Sequence, residues 1–96
     1  MASNIDEITI NYEEDGLLVV KELDKVILSR GAWTTIIFRY CQWDQRKKDY
    51  GPDRYTIRRY QKRHDEYMLK SKFNISSTDQ AVKIVDALQK WTSAEE

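Results

Sequence analysis

WTTIIFRYCQWD, residues 33–44, decides the fold. It is dense in β-branched and aromatic residues, the types that fit a pleated surface, so it reads as a strand. Alternation then sorts its side chains onto two faces. Ile36, Phe38 and Tyr40 form an apolar set, and Trp33, Thr35, Ile37, Arg39, Cys41 and Trp43 form the opposite one.

The neighbouring segments extend the same pattern. LLVVKELDKVILS (17–29) is rich in Val, Ile and Leu and reads as a long or bent strand. Before it, ITINY (8–12) alternates and meets EEDG (13–16), which predicts a short strand and a hairpin turn. QRKKDYGPD (45–53) is a loop closed by the only proline. RYTIRRYQKR (54–63) and YMLKSKFNI (67–75) read as strands joined by a turn at HDE. The period changes at the end, where Ala81, Ile84, Val85, Leu88 and Trp91 recur at helical spacing. Ser77 with Gln80 forms a capping box, so a helix is predicted over 78–92. The class is α+β: antiparallel strands followed by one C-terminal helix.

Ninety-six residues make one domain, 1–96, with an acidic N-terminal segment at 1–15 that contains the extra strand. A single cysteine, Cys41, forms no internal disulfide, and no apolar run is long enough to span a membrane. The start MASNIDEI lacks signal-peptide character, so a cytoplasmic protein is expected. Net charge is zero, but it is unevenly placed: residues 1–24 carry net −6, 25–72 net +8 and 73–96 net −2. A basic middle attracts polyanions whatever the global charge.

Each strand offers one apolar face for the helix to cover. In 54–63 the second face holds Arg54, Thr56, Arg58, Tyr60 and Lys62; in 67–75 it holds Met68, Lys70, Lys72 and Asn74. Tyr67, Leu69, Ser71, Phe73 and Ile75 would form core. Cations hold phosphates and flat rings stack on unpaired bases, so a mixed face suits single-stranded nucleic acid. Arg39, Arg58, Tyr60, Lys70 and Lys72 are expected to emerge together on the uncovered side. Val82, Val85, Leu88 and Trp91 give the helix more apolar surface than one sheet face needs, which predicts a dimer interface.

VVKELDKVILS, Gly31, Trp33, Arg39, Asp44, the Tyr55–Ile57–Arg58–Tyr60 strand and KSKFNIS resemble the single-stranded-DNA-binding family of the transcriptional coactivator positive cofactor four, especially its YdbC-like bacterial type. The resemblance spans about residues 17–91. It implies a curved antiparallel sheet of four to five strands, a homodimer, and concave faces that hold single-stranded DNA without strong sequence choice. It carries roles in that surface to Arg30, Arg39, Trp43, Lys70 and Lys72. Residues and resemblance together give a candidate interface of Arg30, Trp33, Arg39, Trp43, Arg54, Arg58, Tyr60, Lys62, Lys70 and Lys72. The chain departs from the family at Trp43, displaced by one position against Asp44, and at Lys72-Phe73, where a Lys-Gly pair is expected. The basic loop at 45–53 is also long for the family, and Arg46, Lys47 and Lys48 there would add a phosphate clamp.

Catalysis is not expected. Cys41 and His64, the only residues of their types, fall in different elements, no Gly-rich phosphate loop exists, and no metal or cofactor is predicted. Asp44, Asp49 and Asp53 sit among basic residues and read as ion-pair partners. The alternatives to DNA are RNA, and a protein-interaction module that pairs the acidic N-terminus with the basic sheet. The acidic segment could also gate the basic face by competing for it.

Overall fold

A computed structural model describes residues 4–93. Its elements are β1 (Tyr12–Glu14), β2 (Leu17–Ser29), β3 (Trp33–Asp44), β4 (Asp49–Tyr50), β5 (Arg54–Arg63), β6 (Glu66–Ile75) and α1 (Thr78–Ser93). The strands form one curled antiparallel sheet in the order β1-β2-β3-β5-β6, with β4 paired to the end of β3. The α+β expectation holds, and β4 adds a short strand inside the expected 45–53 loop.

Two hairpins are closed by two-residue turns. Asp15 (φ 50°) and Gly16 (φ 80°) close the first, at the predicted EEDG site; His64 (φ 51°) and Asp65 (φ 62°) close the second. Positive φ at both central positions is the type I′ pattern, which matches strand twist and favours Asn-Gly. His64 and Asp65 hold it at a steric cost. The double substitution His64→Asn, Asp65→Gly is therefore expected to stabilise the fold by about 1 kcal/mol, read as a higher urea midpoint.

The curl has a local origin. β2 carries an extra residue at three register shifts: Val19 against β1, and Leu23 and Leu28 against β3. Each bulge bends its strand and increases the twist. A further shift between Arg59 and Tyr60 makes Lys70 the extra residue of β6.

The core lies on one side of the sheet, called here the inner face. Ile36, Phe38, Tyr40, Tyr60 and Tyr67 cluster there with Ile8 and Ile10. Residues 5–11 cross this face as a one-turn 3-10 helix (Ile5–Glu7) and an irregular run. The predicted strand at 8–12 is thus corrected, since pairing begins only at Tyr12. Side chains hold the segment instead of a ladder. Lys25 Nζ donates to the carbonyls of Asp6 (3.0 Å) and Ile8 (2.7 Å), Glu22 N donates to Asn11 Oδ1 (2.7 Å), and Thr9 Oγ1 donates to Glu22 Oε1 (2.8 Å).

The helix does not cover the Ile36–Phe38–Tyr40 face, because the N-terminal segment occupies it. α1 starts as predicted: Gln80 N donates to Ser77 Oγ (3.1 Å), while Gln80 Oε1 accepts from Ser76 N (2.7 Å). It packs chiefly against β6, and none of its residues is buried. The radius of gyration, 15.5 Å, exceeds the ~12.5 Å of a compact chain of this length.

Candidate nucleic-acid interface

Directly paired residues of an antiparallel sheet share a face. Across β3 and β5, Tyr40 pairs with Arg54, Phe38 with Thr56, Ile36 with Arg58 and Thr34 with Tyr60. Arg39 instead pairs with Tyr55, and Ile37 with Ile57. The basic set of β5 therefore lies on the inner face, beside the core. Arg39, Trp33 and Trp43 lie on the other, outer face. The expected single surface carrying both Arg39 and Arg58 is corrected. Alternation within each strand is as predicted, but a shift of one residue in pairing exchanges faces, and the register falls the other way.

β6 continues the inner face. Lys72 pairs with Arg58, Asn74 with Thr56, Leu69 with Tyr60 and Tyr67 with Lys62. Lys70, alternating with Ser71, emerges beside Lys72. The bulge there breaks the expected Tyr67-to-Ile75 core set: Tyr67 and Leu69 stay on the inner face, while Ser71, Phe73 and Ile75 turn to the outer one.

Six predicted interface residues thus share the inner side of β5–β6: Arg54, Arg58, Tyr60, Lys62, Lys70 and Lys72. The five cations form no ion pair among the described residues, where Arg39–Asp53 (3.1 Å) is the one salt bridge. Arg58 Nε is buried without a hydrogen-bond partner. Lys62, Lys70 and Lys72 are exposed. Tyr60 is 6% exposed, so its ring belongs to the core and offers no stacking surface. Burial raises its phenol pKa, and the neighbouring Arg58 guanidinium opposes that shift.

The other four residues are distributed elsewhere. Arg30 is exposed in the turn between β2 and β3. Trp33, on the outer face, lies under the Arg59 guanidinium, 4.1 Å from the ring centroid. Sequence reading left Arg59 out of the interface; its alternation with Ile57 was the signal that it joins Trp33. Trp43 packs edge-on against Tyr50 at 5.2 Å and donates Nε1 to Gln45 Oε1 (3.0 Å). Tyr50 in turn donates its hydroxyl to the Leu18 carbonyl (2.8 Å), so Trp43 is held in a small aromatic corner.

No family model, curated protein or solved structure matches this chain.

The outer face is mostly apolar at its centre. Val26, Ile37, Ile57 and Phe73 pair in one row across four strands. Val26 is 56% exposed and Phe73 52%. Val82, Val85, Leu88 and Trp91 on the helix are exposed as well, Trp91 at 66%. Cys41 is buried, and burial raises its thiol pKa. Among the described residues no metal-ligand cluster occurs and no helix is long and apolar enough to cross a membrane.

Proposed function

We propose that the protein binds single-stranded nucleic acid, with the backbone lying along the inner face of β5 and β6. The observation that supports this is the strip Arg54, Arg58, Lys62, Lys70 and Lys72, five cations on one sheet face with no carboxylate partner among the described residues. Unpaired cations of one sign attract a polyanion. The resemblance to the positive-cofactor-four family favours DNA. The reading differs from the sequence expectation in one respect: the strip carries phosphates, whereas the exposed rings Trp33 and Phe73 lie on the outer face. Binding is then dominated by counterion release and weak in base preference. Titration of labelled oligo-dT, the matched duplex and an RNA oligomer at two salt concentrations tests it. Oligo-dT tighter than duplex, with a steep salt slope, is expected; equal affinity for the duplex rejects the single-strand reading. RNA tighter than DNA reassigns the ligand.

A second component is self-association. Val82, Val85, Leu88 and Trp91 on the helix and Val26 and Phe73 on the outer face are all more than half exposed, and exposed apolar surface of this kind marks association sites. A homodimer that pairs these surfaces accounts for both. Val85→Asp combined with Trp91→Asp is expected to give a folded monomer by light scattering. A wild-type protein that is already monomeric at tens of micromolar rejects the dimer. An acidic N-terminus pairing with the basic strip of its own chain finds no support, since no such ion pair exists among the described residues.

A further inference from the structure

A polar cleft of about 490 Å³ opens where β3, its following loop and β5 meet, lined by Gln42, Asp44, Gln45, Arg46, Gly51 and Arg54 among others. Arg54 is also the first cation of the inner-face strip, so the cleft continues that strip beyond the sheet. Taking the single-strand reading as given, the geometry points to this cleft as a nucleotide subsite that prefers a base bearing an exocyclic amine, such as cytosine, over thymine.

The groups around the cleft differ in which of their atoms are already engaged. Asp44 lines the cleft, Asp49 and Asp53 flank its lining residues in sequence, and each has a local partner. Asp44 Oδ1 accepts from Arg46 N (2.9 Å) and Lys47 N (3.3 Å), Asp49 Oδ1 accepts from Tyr50 N (2.8 Å), and Asp53 pairs with Arg39 (3.1 Å). The guanidinium groups of Arg46 and Arg54 have no ion-pair partner among the described residues. Two fork-shaped cations at one opening suit a phosphate, which guanidinium recognises through paired N–H donors. Gln45 Oε1 is occupied by Trp43 Nε1, so its amide offers a donor. Asp44 lines the opening, and its Oδ2 accepts no hydrogen bond among the described residues, so the carboxylate has an acceptor to spare. A carboxylate acceptor favours a base that presents an amine donor, as cytosine does at N4, and disfavours thymine, whose O4 is an acceptor. Gly51 forms part of the wall, and no side chain there narrows the entrance. The volume falls in the range of small-ligand sites.

The test uses full-length protein and free mononucleotides, so it does not depend on strand binding. Deoxycytidine monophosphate, thymidine monophosphate and inorganic phosphate are titrated against ¹⁵N-labelled protein. The cytidine nucleotide is expected to shift the amides of Arg46, Lys47 and Gly51 and to bind at least about fivefold tighter than the thymidine nucleotide. Arg46→Ala should weaken both. Asp44→Asn keeps the Oδ1 acceptor of the loop but places a donor at the opening, so it should remove or invert the preference without altering the fold. Equal shifts from all three probes, or a preference unchanged by Asp44→Asn, overturn the assignment. Oligo-dT binding that depends on Lys62, Lys70 and Lys72 while the cleft stays silent removes the cleft alone. Cleft binding without oligonucleotide affinity removes the strand reading and keeps the cleft as a mononucleotide site.

Discussion

Ile8→Ala together with Ile10→Ala is expected to lower the unfolding free energy by about 4–8 kcal/mol, with no gain in oligonucleotide affinity. Both side chains are nearly inaccessible, at 3% and 6%, and both sit in the cluster with Phe38, Tyr40 and Tyr60. Truncation removes apolar burial and leaves cavities in a core with few other members. A loss of this size approaches the whole stability of a small domain, so substantial unfolding at 37 °C is the predicted state. Urea denaturation of the two single variants, at about 2–4 kcal/mol each, keeps the measurement within range. The result separates two roles for the acidic segment. A gate that competes for the basic face would leave stability nearly unchanged and tighten binding when weakened. A segment that completes the core does the opposite. A double variant as stable as wild type, with raised affinity, would restore the gate.

Lys62→Glu, Lys70→Glu and Lys72→Glu combined should reduce oligo-dT affinity about a hundredfold or more at 50 mM salt. Each lost phosphate contact on a single strand removes about 0.7 from the salt slope, so the slope should shrink by roughly 2. All three lysines are exposed and none is in an ion pair, so the circular dichroism spectrum and urea midpoint should stay close to wild type. Arg39→Ala is the control. Its guanidinium points to the outer face and is neutralised by Asp53, and removing it should change affinity less than about threefold. If Arg39→Ala matches the triple variant while the lysines prove neutral, the nucleic acid lies on the outer face, with Trp33, Phe73 and Arg59.

These outcomes bear on how far residue patterns reach. Alternation within 33–44 and 54–63 was legible, because each strand has one buried face. The start of α1 was legible from Ser77 and Gln80, and the first turn from EEDG. The pairing of β3 with β5 was not. It depends on how 45–53 folds, with Asp44 capping a turn, β4 returning to Trp43 and Gly51 N donating to the Gln42 carbonyl. Nothing in the composition of that loop fixes whether Arg58 or Arg59 faces Ile36. The bulge at Lys70 was equally hidden, since YMLKSKFNI alternates without interruption. ITINY shows a third limit. Its alternation reports burial correctly, with Ile8 and Ile10 inward and Thr9 and Asn11 outward, but the partner is a sheet face rather than a neighbouring strand.

One third of the residues are charged, and yet Arg39–Asp53 is the one ion pair among the described residues, with most acids of the first strands far from the basic strip. The β1–β2 margin holds Glu13, Glu14, Asp15, Glu22 and Asp24, and the β5–β6 margin holds the cation strip. The neutral molecule therefore has a large electric dipole moment, directed across the strands. In the field of any polyanion it experiences a torque that turns the β6 margin forward before contact. Productive encounters become more frequent, and dissolved electrolyte suppresses this alignment before it weakens the bound state.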